Sequence, residues 1–174
     1  MVDACEQWCR NVAKNSREGR SLILCGPFGC GKTHSFNASR RYVGDVRMAV
    51  WPEFWVKPLN VMAARWGALV RELTENDNRE FGDDLLASDV AMLDDIGSEE
   101  DRFKSGAPTR ILGDLLGEMH EERRFMFLTT NIAPDGWKAR WDGRVEDRLL
   151  RLDAKIVNLW PLGSESYASW KERQ

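Results

Sequence analysis

No apolar run in this chain approaches the roughly 20 residues that a membrane-spanning helix needs. The opening residues Met1-Val2-Asp3-Ala4-Cys5-Glu6 lack the basic start and apolar core of a secretory signal. No internal repeat and no low-complexity segment is present. Histidine is scarce, with only two in the chain to help complete a metal site. The four cysteines are Cys5, Cys9, Cys25 and Cys30. Cys5 and Cys9 suit one helix face better than a zinc knuckle, and all four read as reduced thiols of a cytosolic protein. A strong charge of one sign is also missing. The net charge is −3, so any nucleic-acid contact must come from a local patch. With 174 residues, 43% hydrophobic and 30% charged, the chain suits one soluble α/β domain and is too short for two ordinary ones.

What is present begins with Gly26-Pro27-Phe28-Gly29-Cys30-Gly31-Lys32-Thr33, which fits G-x-x-x-x-G-K-[ST] at every fixed position. It follows the apolar run Ser21–Cys25 and precedes a stretch able to form a helix. The glycines let the backbone curl so that successive N–H groups point at a phosphate. The helix that follows presents its positive end to the same anion. Lys32 is placed to reach the β- and γ-phosphates and the Thr33 hydroxyl to ligate Mg²⁺, so ATP and Mg²⁺ are the expected cofactors. The nucleotide-contacting set is residues Gly26 to Thr33 with His34. Cys30 lies among these N–H groups, where a small residue fills a variable loop position.

The second informative stretch is Val90-Ala91-Met92-Leu93-Asp94-Asp95-Ile96-Gly97, a short apolar strand ending in two acids. Beside a phosphate loop, Asp94 would hold Mg²⁺ through water and Asp95 would polarise the attacking water. Phe125–Thr129 is another buried strand, and it ends at Thr130-Asn131, where a polar side chain would lie by the γ-phosphate. Residues 3–17 read as one helix with a ragged apolar stripe. Further strands are expected at Val46–Trp51 and Lys155–Trp160, and helices at 32–42, about Leu59–Thr74, Phe81–Ala87 and Pro108 to about Arg123. Leu59, Met62, Trp66, Leu69, Val70 and Leu73 would form the buried stripe of the 59–74 helix. Arg144, Arg148 and Arg151 share one face of a short helix led by Asp142-Gly143. Most of the eight Trp are expected in the core or at an interface. Strands alternating with helices predict a parallel, doubly wound sheet with nucleotide at the carboxyl ends of the strands.

Together, Gly26–Thr33, Leu93-Asp94-Asp95-Ile96-Gly97, Thr129-Thr130-Asn131 and Gly143–Leu149 resemble the AAA+ ATPases of the DnaC/IstB type, which are helicase loaders and transposition helpers. The likeness runs from about residue 20 to Ala168, with Ser166-Tyr167 near its end. It implies an α/β P-loop fold: a three-layer sandwich around a five-stranded parallel sheet, with little or no C-terminal lid. One domain would span 1–174, with a short helix and linker over 1–20 and the nucleotide-binding core over 21–168. The resemblance makes Asp94 the metal acid, Asp95 the counterpart of the catalytic glutamate, Asn131 the first sensor, and Arg148 an arginine finger acting on a neighbouring subunit's ATP. It places the 59–74 helix where insertion helices line a pore, with Lys57, Arg65 and Arg71 as the residues to touch single-stranded DNA.

The implied activity is ATP hydrolysis, slow and assembly-dependent, serving DNA replication. The implied partners are further copies of the chain in a ring or filament, and a replicative helicase or a transposase. The implied setting is the cytoplasm of a bacterium, with no membrane contact, encoded by the host or a phage. Three departures stand out. The helicase-gripping N-terminal domain usual in the loaders is not seen. Ala168 replaces a late arginine that would act as second sensor. Asp95 is one methylene shorter than glutamate, and a misplacement near 1 Å can slow a reaction about 100-fold. Alternatives are an IstB-like transposition helper, a small-molecule P-loop kinase, and a nucleotide-gated adaptor that scarcely hydrolyses.

Overall fold

The structure, a computed structural model, describes residues 1–12, 15, 18–49, 60–76, 78–99 and 106–159. Its centre is β1, Ser21–Cys25, a continuous apolar run buried along its whole length. Such a strand needs neighbours on both edges and cover on both faces. β4, Phe125–Thr130, and β5, Ala154–Asn158, flank it. β3, Val90–Ile96, pairs with β4, and β2, Val61–Arg65, forms the edge beyond β3. The order is β2-β3-β4-β1-β5 in one five-stranded sheet, parallel at every pairing. The fold expected from the sequence, α/β with a five-stranded parallel sheet, is therefore the one observed.

Side chains alternate across the sheet with the strand period of two. On one face Leu22, Leu24, Val90, Met92, Phe125 and Phe127 meet two helices. These are α1, Val2–Arg10, and α2, Lys32–Ala49. Trp8 of α1 lies 5.2 Å from Phe125 and 5.1 Å from Phe127, ring centre to ring centre. On the other face Ile23, Cys25, Ala91, Leu93, Met126 and Leu128 are covered by the remaining helices. These are α3 (Trp66–Thr74), α4 (Arg79–Ala87), α5 (Ala107–Glu121), α6 (Trp137–Arg140) and α7 (Gly143–Arg151). The result is three layers. Trp8, Trp66, Trp137 and Trp141 are all buried, and the other four tryptophans lie outside the described residues.

Three expectations are corrected. The second strand is not Val46–Trp51: α2 runs on through residue 49, and residues 50–59 lie outside the description. The strand comes instead from the first third of the expected 59–74 helix, and α3 begins only at Trp66. Val61-Met62-Ala63-Ala64-Arg65 has little intrinsic strand preference, but pairing with β3 overrides that. The pairing is anchored where the Asp89 carboxylate accepts from the Asn60 amide at 2.7 Å, and the Asn60 carbonyl accepts from the amides of Asp89 and Val90. The first helix is also interrupted at Asn11, its C-cap; residues 12, 15 and 18 are again helical, and 13, 14, 16 and 17 lie outside the description.

Arg65 and Arg71 therefore do not share a helix face. Arg65 closes β2 in register with Asp94, while Arg71 sits in the last turn of α3. This removes the structural basis for a pore-lining helix over 59–74. Lys57, the segment Ser166-Tyr167, Ala168 and any C-terminal lid lie outside the described residues.

Candidate nucleotide-binding site

The loop from Gly26 to Gly31 joins the buried end of β1 to the start of α2. Gly29 (φ +75°) and Gly31 (φ +91°) occupy left-handed backbone that favours glycine. The Gly26 amide donates to the Thr130 carbonyl at 3.2 Å, which ties the loop to β4. Lys32 is almost fully buried, and its Nζ sits inside the loop. It donates to the carbonyls of Gly26 and Pro27, each at 2.8 Å, and to Asn131 Oδ1 at 2.7 Å, with Cys30 Sγ at 3.6 Å. Two of the expected residues, Lys32 and Asn131, are thus in direct contact across 99 positions of sequence.

The acid pair stands beside them at the carboxyl end of β3. Asp94 is buried, and its Oδ1 accepts from Thr33 Oγ1 at 3.3 Å and from Thr129 Oγ1 at 2.6 Å. The β3–β4 register shifts between Leu93 and Ile96, so the ladder opens at the two acids. Asp95 takes φ +64°, a conformation aspartate tolerates better than most residues. Its amide donates to Thr129 Oγ1 at 2.8 Å, and its Oδ1 accepts from Asn131 Nδ2. Thr129 has no role in the sequence reading beyond its place in the Thr129-Thr130-Asn131 motif, yet its one hydroxyl touches both acids. The signal available was a threonine at the end of a buried strand beside an acid-tipped one.

These groups surround a cavity of about 340 Å³ lined by Phe28, Gly31, Lys32, Thr33, Asp95 and Asn131, with Gly29 and His34. Phe28 stands 76% exposed at its rim. The cavity has what a polyphosphate requires: a cation, a helix N-terminus and a glycine-rich loop. Among the described residues no cluster of three or more acids, histidines or cysteines could hold a metal unaided. Thr33 and Asp94 offer hard oxygens only, which suits Mg²⁺ sharing its shell with phosphate and water.

Arg148 is not in this cavity. It is half-buried on α7 and donates to the Gly113 carbonyl of α5. An added Cβ would meet its guanidinium at 3.3 Å from Gly113 and 3.0 Å from Gly117, so these glycines clear its bed. Arg144 and Arg151 on the same helix are exposed and pair with Asp142 and Asp147. Cys5 and Cys9 are buried under α2, and burial pushes both thiols above their usual range.

No protein-family model matches the sequence, and no curated protein matches it. Solved structures do match in fold. A DnaC helicase loader superposes with TM-score 0.68 at 18% identity, covering 89% of this chain and 86% of that one. A DnaI structure gives 0.64 at 20% identity, over 92% and 82%. A replication initiator DnaA bound to AMPPCP and single-stranded DNA gives 0.64 at 14% identity, over 90% of this chain but 45% of the initiator. Among the described residues, no helix is long and apolar enough to cross a membrane. The chain thus shares the fold of these replication proteins, the α/β fold with a five-stranded parallel sheet that its motifs led one to expect.

Proposed function

We propose that this protein binds and slowly hydrolyses ATP with Mg²⁺, and acts in DNA replication as a DnaC-like helicase loader through nucleotide-dependent self-assembly. The observation that carries the reading is the convergence of Lys32, Thr33, Asp95 and Asn131, drawn from three strand ends, on one cavity, with the buried Asp94 hydrogen-bonded to Thr33 behind it. On binding, Lys32 exchanges its loop carbonyls for β- and γ-phosphate oxygens. Mg²⁺ held near Thr33 and Asp94 would neutralise charge on the phosphates. Asp95 orients the attacking water, and Asn131 senses the terminal phosphate.

The base has an apolar seat next door. A groove of about 290 Å³ between α1 and α2 is lined by Val2, Cys5, Cys9, Ala38 and Tyr42, and His34 lines both it and the phosphate cavity. A small-molecule kinase makes no use of the Asp94–Thr129–Asp95–Asn131 network, which argues against that alternative. A transposition helper would share the whole site and differ in its partner. In the loader reading, Arg148 leaves the Gly113 carbonyl to act on the ATP of a neighbouring copy.

The test is turnover against protein concentration. Specific activity should rise as copies assemble, because each site awaits its neighbour's arginine. Such a group contributes about 10³–10⁵ in rate in related phosphate-loop enzymes. Mixing Lys32→Ala with Arg148→Ala, each nearly inactive alone, should restore part of the activity. Concentration-independent turnover with no rescue would exclude a trans-acting Arg148.

A further inference from the structure

The turn that follows the acid pair is gripped by a residue from far along the chain. Arg140, the last residue of α6, donates to the Gly97 carbonyl from Nε at 3.2 Å and from Nη2 at 3.1 Å. Its Nη2 also reaches the Glu99 carbonyl at 3.2 Å and Glu99 Oε1 at 2.9 Å. The Glu99 side chain is 2% exposed. Burial raises its carboxyl above the usual range, and Arg140 opposes that shift. Trp66 stands beside the carboxyl but outside hydrogen-bond geometry: among the described residues, neither Glu99 Oε2 nor Trp66 Nε1 has a partner. A buried ion pair with an unsatisfied oxygen is a poor stabiliser, since apolar residues of similar volume often serve as well. Stability alone is therefore a weak reason for a charge here.

Location supplies a better one. Asp95 adopts a left-handed backbone, which a non-glycine residue keeps only where its surroundings over-determine it. Its carbonyl accepts from the Ser98 amide at 3.2 Å and from Ser98 Oγ at 2.7 Å, closing a turn. Gly97 follows at φ +88°, where a Cβ would meet Ile132 Cδ1 at 2.5 Å and Trp141 Cζ2 at 3.0 Å. Asn131 binds the Asp95 carboxylate above the turn, and Arg140 binds Gly97 and Glu99 below it. The chain from Asn131 to Arg140 is itself braced by Trp137 Nε1 donating to the Ile132 carbonyl at 3.2 Å. The two segments are tied at both ends.

We propose that Arg140 and Glu99 are positioning residues, an ion-paired latch that holds the Asp95–Glu99 turn in its left-handed form and so keeps the Asp95 carboxylate aimed beside Asn131. This rests on the reading that Asp95 faces bound nucleotide. Neither latch residue lines the phosphate cavity.

The test replaces both partners at once, Arg140→Met with Glu99→Leu. Four properties are measured: thermal unfolding, amide hydrogen exchange over residues 95–99 without nucleotide, ATP affinity, and turnover. The latch predicts an unchanged unfolding midpoint, ATP affinity within a few-fold, and exchange over 95–99 and turnover each altered by about 10-fold or more, faster and slower respectively. Arg140→Lys should recover only part, because an ammonium cannot span three acceptors as the guanidinium fork does. A folded double variant with wild-type exchange and turnover would overturn the proposal. Should the double variant fail to fold, Arg140→Lys and Glu99→Gln carry the same readouts. If the wild type itself does not hydrolyse ATP, the proposed function fails, and exchange over 95–99 in the nucleotide-free protein still decides the latch.

Discussion

Thr129 Oγ1 donates to Asp94 Oδ1 and accepts from the Asp95 amide, so a single buried hydroxyl bonds to both of the adjacent acids. Valine has the same shape without the hydroxyl. Thr129→Val would leave the Asp95 amide unsatisfied, at a cost of about 1–3 kcal/mol. It would also free Asp94 to turn. The expected result is a folded protein, somewhat less stable, with ATP affinity within a few-fold and turnover reduced about 10- to 100-fold. Nucleotide titration beside steady-state hydrolysis checks this, and a parallel fall in both would place Thr129 in binding instead. That Lys32, Thr33, Asp94, Asp95 and Asn131 would lie close together could be read in the sequence, because each sits at a fixed offset from a strand end. The roles of Thr129, Arg140 and Glu99 could not, because they depend on contacts 34 to 43 residues away that no local pattern records.

At the scale of elements, α7 shows how a short helix is held. Asp142 caps it, its Oδ1 accepting from the amides of Arg144 and Val145, each at 2.9 Å. Those bonds, the Val145 one foremost, hold the Asp142 carboxyl below its ordinary value of 3.8. A depressed acid contributes stability that is present above its unfolded value and lost as pH falls through the folded one. Asp142→Ala should cost about 1 kcal/mol at neutral pH. The difference between variant and wild type should shrink in acid, below the ordinary aspartate range. Thermal unfolding of both proteins across that range is the check, and a pH-independent gap would count against the cap. The start of this helix after Asp142-Gly143, Pro108 in the first turn of α5 and the apolar runs of β1, β3 and β4 were all legible, since each carries its own local signal. The Val61–Arg65 strand was not. Met62 shares a helical stripe with Trp66, Leu69 and Val70, and only the free edge of β3 turns that stretch into a strand.

For the whole molecule, sheet order decides where chemistry is possible. β1 lies beside β4, and β4 beside β3, so the phosphate loop, Asn131 and the acid pair emerge as neighbours at one end of the sheet. Alternating strands and helices foretold this arrangement, but the position of the edge strand, and with it the fate of Arg65 and Arg71, needed three dimensions. Everything proposed for the protein depends on that end of the sheet holding a nucleoside triphosphate. Calorimetric titration of ATP into the folded wild type and into Lys32→Ala, each with and without Mg²⁺, tests this most directly. The account predicts saturable, Mg²⁺-strengthened binding by the wild type and none by a Lys32→Ala protein whose unfolding is still cooperative. Equal affinity in the two proteins, or no binding by either, would contradict it.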